Sequence, residues 1–181
     1  MAQEAQQTRA GLNGLHPAKI ETILESMNDP QVLKNVSGPW KSRIVWQDGF
    51  RVKAYMRKHA VEMDEPEDLD ATDRAASAHE QLLSAIGSCL AVGFVLNATR
   101  RGIKIHDLEV ALEAHFDDIL KWAGQSDSGN PGYKSITAKL FVRADADEAT
   151  LRELWKQAYE GSPVTQSVVR GTPVTAEFGA V

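Results

Sequence analysis

The alternation of apolar and polar residues along the 181-residue chain predicts an α+β fold: strands, one long helix, strands, a helix and a last strand. Three observations carry this. "FRVKAYMR" (50–57) places Phe50, Val52, Ala54 and Met56 on one side and Arg51, Lys53, Tyr55 and Arg57 on the other, the two-residue period of a half-buried strand. Between Glu80 and Arg100 no residue is charged, a length and composition that fit a core helix. "DLEVALEAHF" (107–116) and "SITAKLFVR" (135–143) again alternate, as antiparallel strands do.

Taken in order, residues 15–35 predict a helix with Pro17 in its first turn and Ile20, Ile23, Leu24 and Met27 on the face that packs on the domain. "RIVW" (43–46), the turn "QDG" (47–49) and residues 50–57 predict a hairpin with one buried and one basic face. Residues 61–77 begin as a strand and become an acidic, proline-containing loop. It lacks the glycine and glutamate spacing of a calcium loop, and no ligand is assigned to it.

The long helix is expected over 78–101. Ser77 and Glu80 form an S-x-x-E capping box, Arg100 and Arg101 complement the C-terminal dipole, and Gly102 fits the first position beyond the end. Its apolar residues surround it, so it is expected to be covered on nearly all sides, which one small sheet cannot do. Gly87 and Ala91 would admit another helix at close range, and packing inside one chain explains them equally well.

Residues 117–133 form a Gly/Ser/Asn/Pro-rich loop long enough to be a flap, in which Trp122 would cover an apolar pocket. A helix over 147–160 is capped by Asp147, with Leu151, Leu154, Trp155 and Ala158 inward. A short helix follows from Ser162 and Pro163 to Gly171, and residues 172–180 predict a final strand.

A net charge of −5, with 20 Lys and Arg against 25 Asp and Glu and no basic run, argues against nucleic acid or an anionic membrane as partner. The first 20 residues hold no continuous apolar stretch, and the run Leu82–Leu96 is shorter than the roughly 20 residues a bilayer needs. The expected compartment is the cytoplasm, where a free thiol persists.

Most familiar chemistries find no motif. "HEQLL" (79–83) begins like a zinc-protease motif but has Leu83 where the second histidine would bind metal. His16, His59, His79, His106 and His115 have no mutual metal spacing, and G-x-S-x-G, Walker A and G-x-G-x-x-G are missing. No metal and no cofactor are expected. That leaves Cys89, the only cysteine, in mid-helix. A cysteine on an apolar helix is more often a small hydrophobe than a reagent, because reactivity needs the thiolate and burial disfavours it.

A resemblance adds what spacing does not supply. "MDEP", "EQLLSAIGSCLA", "RRGIKIHDLEVALE", "GNPGY" and "VRADADEATLRELWKQAYEGSPVTQSVVRGTPV", in that order, resemble the OsmC/Ohr family of osmotically induced and organic-hydroperoxide-resistance proteins. The similarity covers roughly residues 40–180, leaving 1–39 as an N-terminal helical extension to an OsmC-like domain over 40–181. It implies an intertwined homodimer with two sites at its interface and an antiparallel sheet wrapped around a long buried central helix. The implied activity is that of a thiol peroxidase acting on organic hydroperoxides in oxidative stress defence.

Cys89 matches the family's peroxidatic cysteine. The resemblance implies an arginine and a glutamate beside it. Arg51 is assigned as the cation, with Arg43 and Arg57 as alternatives, and Glu80 as the carboxylate. Two departures stand out. The family's second cysteine falls at Ser162, so an external thiol reductant would have to complete the cycle. The peroxidases' glutamate lies ten residues before the cysteine, where this chain has His79, and Glu80 already has a second use in the capping box. The alternative function is a non-catalytic module that holds a hydrophobic small molecule in the dimer cavity.

Overall fold

The computed structural model describes residues 11–179 and has the predicted α+β composition. Its contacts divide into two units that meet between Ala85 and Ile86, within the longest helix.

The first unit opens with α1 (Pro17–Ser26) and α2 (Pro30–Ser37), where the sequence predicts one helix. Pro30 explains the break. It lacks an N–H and forces the preceding residue out of helical geometry, and Asp29 stands extended at φ −71° and ψ 124°. Its carboxylate caps α2 by accepting from the N–H groups of Gln31 (2.7 Å) and Val32 (3.2 Å). No residue of α1 is fully buried; of the face expected to pack, Ile20, Leu24 and Met27 are half-buried and Ile23 is exposed.

β1 (Arg43–Asp48), β2 (Arg51–Met56) and β3 (His59–Met63) form an antiparallel sheet in that order. The ladder pairs Ile44 with Ala54 and Lys53 with Glu62. The register slips between Trp46 and Asp48, and Gly49 turns the chain at φ +52°, a conformation glycine adopts without strain. The predicted hairpin forms, with two corrections: Phe50 lies in the turn and is half exposed rather than inside the strand, and Ile44 and Trp46, on the face expected to be buried, are exposed within this chain. Ala54 is the strand residue that is fully buried.

α3 (Ala78–Arg100) has both expected ends. Ser77 N–H donates to Glu80 Oε2 at 2.8 Å, and Glu80 N–H points back to Ser77 Oγ at 3.5 Å. At the other end Ile103 N–H bonds Ala98 O and Gly102 N–H bonds Thr99 O, with Gly102 at φ +73°. This pair of bonds satisfies the last carbonyls and stops the helix.

The second unit pairs β4 (Ile105–Phe116) with β5 (Tyr133–Ala144), antiparallel, Val110 opposite Leu140. Asp147 caps α5 (Glu148–Gly161), and Ser162 caps α6 (Pro163–Val169). Phe94 and Ala98 of α3 meet Leu154 and Ala158 of α5 in the core, with Leu108, Leu140 and Val142 of the sheet packed against them. Burying one such aromatic or aliphatic side chain contributes about 1.5–3 kcal/mol. The close approach falls at Gly93, whose added Cβ would lie 3.4 Å from Ala158 Cα. Gly87 instead faces Leu112 of β4, so its small size accommodates a strand and not a helix.

As expected, one chain does not cover α3 all round: Ile86, Leu90, Phe94 and Ala98 are buried, whereas Val92 is 67 % exposed. Two expectations are corrected. Trp122, in the short helix α4 (Ile119–Trp122) of the 117–133 loop, is 54 % exposed, so more than half of it faces solvent instead of an apolar pocket. Residues 172–179 form no strand, because alternation alone makes no ladder without a neighbouring strand, and Val174 and Phe178 stand almost fully exposed. Position 180 lies outside the described residues.

Candidate functional site

Cys89 sits in the middle of α3 and is half-buried. The spacing Leu82, Ala85, Cys89, Val92, Leu96 repeats three and four residues apart, which aligns them in one stripe along the helix. Leu82 and Val92 on that stripe are exposed, so the sulfur lies at the margin of an open apolar face instead of inside the core.

Glu80 belongs to the first unit and to the helix start. It lies nine residues before Cys89, two and a half turns, and therefore points to the opposite side of α3 about 13 Å along the axis. Its carboxylate accepts from both the N–H and the hydroxyl of Ser77, and the Ser77 N–H in particular holds its pKa below the ordinary glutamate value. His79 lies close to the same hydroxyl, 3.0 Å from Ser77 Oγ. The capping box that the sequence predicts is thus formed, and it engages the carboxylate assigned to the site.

Arg51 is half-buried on β2, in the first unit. Its charge reaches Glu62 on β3 and helps hold that carboxyl down, although Lys53, 2.9 Å from Glu62, does more. Arg51 also lines a small cavity of about 10 Å³ with Asp64, Glu62, Arg74 and Gln47. Of the two alternatives, Arg43 stacks over the Tyr55 ring at 4.8 Å, and Arg57 occupies the β2–β3 turn at φ +54°.

Sequence reasoning passed over Asp64, which it placed in a solvated acidic loop. Asp64 is 2 % exposed. Thr72 Oγ1 donates to its Oδ2 at 2.5 Å and Arg74 N–H at 3.2 Å. The Thr72 hydroxyl first, then the backbone N–H groups of Arg74, Glu65 and Thr72, hold its pKa below the ordinary aspartate value. Nothing in the composition of "MDEPEDLDATDR" separates this one carboxylate from its neighbours, since its partners lie eight and ten residues on.

Ser162, at the position of the second cysteine, is 2 % exposed. Its Oγ accepts from Thr165 N–H at 3.2 Å and donates to Thr165 Oγ1 at 2.8 Å, which begins α6. An open groove of about 650 Å³ runs between β5 and α5 along Leu140, Phe141, Val142, Leu151 and Trp155, and Cys89 is not among its walls. No group of three or more His, Cys, Asp and Glu among the described residues is placed to hold a metal ion.

α3 is also long and apolar enough to cross a membrane, with a mean hydropathy of 1.8 over 18 residues. Its buried stripe packs on α5 and the sheet, as the core helix of a soluble domain does.

No curated protein matches the chain by sequence. Among solved structures, an OsmC-like protein from Mycoplasma pneumoniae superposes with a TM-score of 0.62 at 15 % identity, over 75 % of this chain and 89 % of that one. An OsmC-like protein of unknown function from Vibrio cholerae gives 0.60 at 9 % identity, over 72 % and 93 %. An organic hydroperoxide resistance protein OsmC from Legionella pneumophila gives 0.53 at 11 %, over 72 % and 90 %. At these identities the likeness establishes the fold. The family model described as OsmC-like protein matches residues 71–177, more than half of the sequence and all of α3 with Cys89, and the chain therefore belongs to the OsmC family.

Proposed function

We propose that this OsmC-family protein is a one-cysteine thiol peroxidase that reduces organic hydroperoxides in the cytoplasm as a homodimer. The observation that carries the reading is the position of Cys89: the only thiol stands half-buried on an apolar stripe, within the matched segment. The Cys89 thiolate attacks the distal peroxide oxygen and the O–O bond breaks. The proximal oxygen leaves with a proton as an alcohol, and the sulfur becomes a sulfenic acid, oxidised by two electrons. With Ser162 in place of a second cysteine, an external thiol condenses with the sulfenic acid and releases water. A second external thiol, as its thiolate, then attacks the outer sulfur of this mixed disulfide; the two external sulfurs leave joined as a disulfide, and Cys89 is released as the thiolate.

In this reading Arg51 is the cation that keeps Cys89 ionised, while Glu80 stays with the helix cap. The exposed side of the Leu82–Leu96 stripe gives a second copy an apolar face to cover. Partners of this reading are the hydroperoxide, the reducing thiol and a second copy, with no nucleic acid, membrane or cofactor.

Exposure of the folded protein to cumene hydroperoxide followed by dimedone should add one dimedone mass at Cys89, and an unlabelled Cys89 would overturn the proposal. A second reading, a module that binds a hydrophobic small molecule without chemistry, is favoured by the structural use of both Ser162 and Glu80. It requires a Cys89 pKa at or above the free value of about 8.5 and ligand binding that survives Cys89→Ser.

A further inference from the structure

The first unit buries a carboxylate that its own hydrogen bonds only half satisfy. Asp64 Oδ2 has Thr72 and Arg74 N–H, whereas Oδ1 is buried with no hydrogen-bond partner among the described residues. A buried charged oxygen without a donor is destabilising, so native structures almost always supply one. The cavity that Asp64 shares with Arg51 has room for about one water.

The charged groups around this cavity are Arg51 from β2, Glu62 from β3 and Arg74 from the loop. Glu62 is of the same sign as Asp64 and is engaged by Lys53. Arg74 already gives its backbone N–H to Asp64, and its side chain is exposed. Arg51, half-buried on the cavity wall, is the cation available to Oδ1. We propose that Asp64 is the positioning residue of Arg51: its free oxygen holds the guanidinium across this cavity through a single water. With Glu80 engaged at the helix start, Asp64 is the carboxylate that orients the proposed cation. The pairing stands on the first unit alone, and only its consequence for the thiol rests on the proposed function.

Two measurements test this. Carbon-13 NMR of the Asp64 carboxyl should show its titration midpoint rising by about one pH unit or more in Arg51→Gln, because an opposite charge within reach favours the ionised form. An unmoved midpoint overturns the pairing. This measurement does not depend on peroxidase activity, and it decides the matter if Asp64→Asn fails to fold.

The second is the pH profile of Cys89 alkylation by iodoacetamide in Asp64→Asn, which keeps an oxygen for Thr72 and Arg74. The profile should move to higher pH as far as in Arg51→Gln, and no further in the double variant. Movement in Arg51→Gln without movement in Asp64→Asn overturns the positioning role. A raised NMR midpoint with a Cys89 profile indifferent to both variants confirms the pairing and instead counts against Arg51 as the thiol's cation.

Discussion

The two units differ in what they bury. From Ile86 on, the described residues bury Ile86, Leu90, Phe94, Ala98, Leu154 and Ala158, a core of interlocking apolar side chains, with Thr99, Ser162 and Thr165 as the buried polar side chains beside it. Before Ala85 the buried residues are Ala54, Asp64 and Ser77, one small apolar group and two polar ones, while Trp40, Ile44, Trp46 and Phe50 are half-exposed or more. Apolar burial holds the second unit, and hydrogen bonding at the Asp64 loop and at the start of α3 organises the first. A unit that leaves this much aromatic surface in water is suited to being covered by another protein surface, in keeping with the homodimer proposed above.

The contrast can be broken by mutation. The largest loss should come from Phe94→Ala, about 3–5 kcal/mol of unfolding free energy by urea titration, as expected for emptying an aromatic site in a close-packed core. A loss below 1 kcal/mol would mean that the second unit has no such core. Gly93→Val should cost about 1–3 kcal/mol, because the branched side chain must enter the contact with the Ala158 backbone. In an exposed helix interior the same change would be mildly favourable, so the sign alone reports whether α3 and α5 touch there.

In the first unit the expected effects are smaller and depend on pH. Ser77→Ala should cost about 1 kcal/mol through loss of the cap. The Glu80 pKa is lowered on folding, so its contribution is present above the unfolded glutamate value near 4.3 and is lost as the pH falls through the folded value. Glu80→Gln should flatten that acid limb in a series of melts, and an unchanged limb would mean the carboxylate is not engaged. The smallest effect belongs to Ile44→Thr, within about 0.5 kcal/mol at a concentration where copies do not associate. A large loss there would show that the first unit has an apolar core of its own.

The strands and helices that alternate or cap clearly were legible in the sequence. α3 was placed within one residue at each end because Ser77, Glu80 and Gly102 act locally, and β4 and β5 because their two-residue period spans many positions. The N-terminal helix was read too long because the apolar pattern continues across Pro30, while backbone geometry does not. The C-terminal strand was overread for the opposite reason: a pattern states which side would be buried, but pairing needs a neighbour.

At the site, the order of motifs singled out Cys89, and the capping box anticipated where the Glu80 carboxylate would be used. Asp64 was invisible because a carboxylate's burial depends on which hydroxyl and N–H groups the loop folds over it, information that no spacing rule contains.

The Ser162 hydroxyl has a bearing on protein engineering. A designer wishing to give this chain an internal disulfide would reach first for Ser162→Cys. Sulfur is larger and a feebler acceptor, so the replacement would weaken the first turn of α6 just where it must place the new thiol. Acquiring a second cysteine at this position would thus call for a compensating change at Thr165 or Pro163, because the existing helix start is built around a hydroxyl.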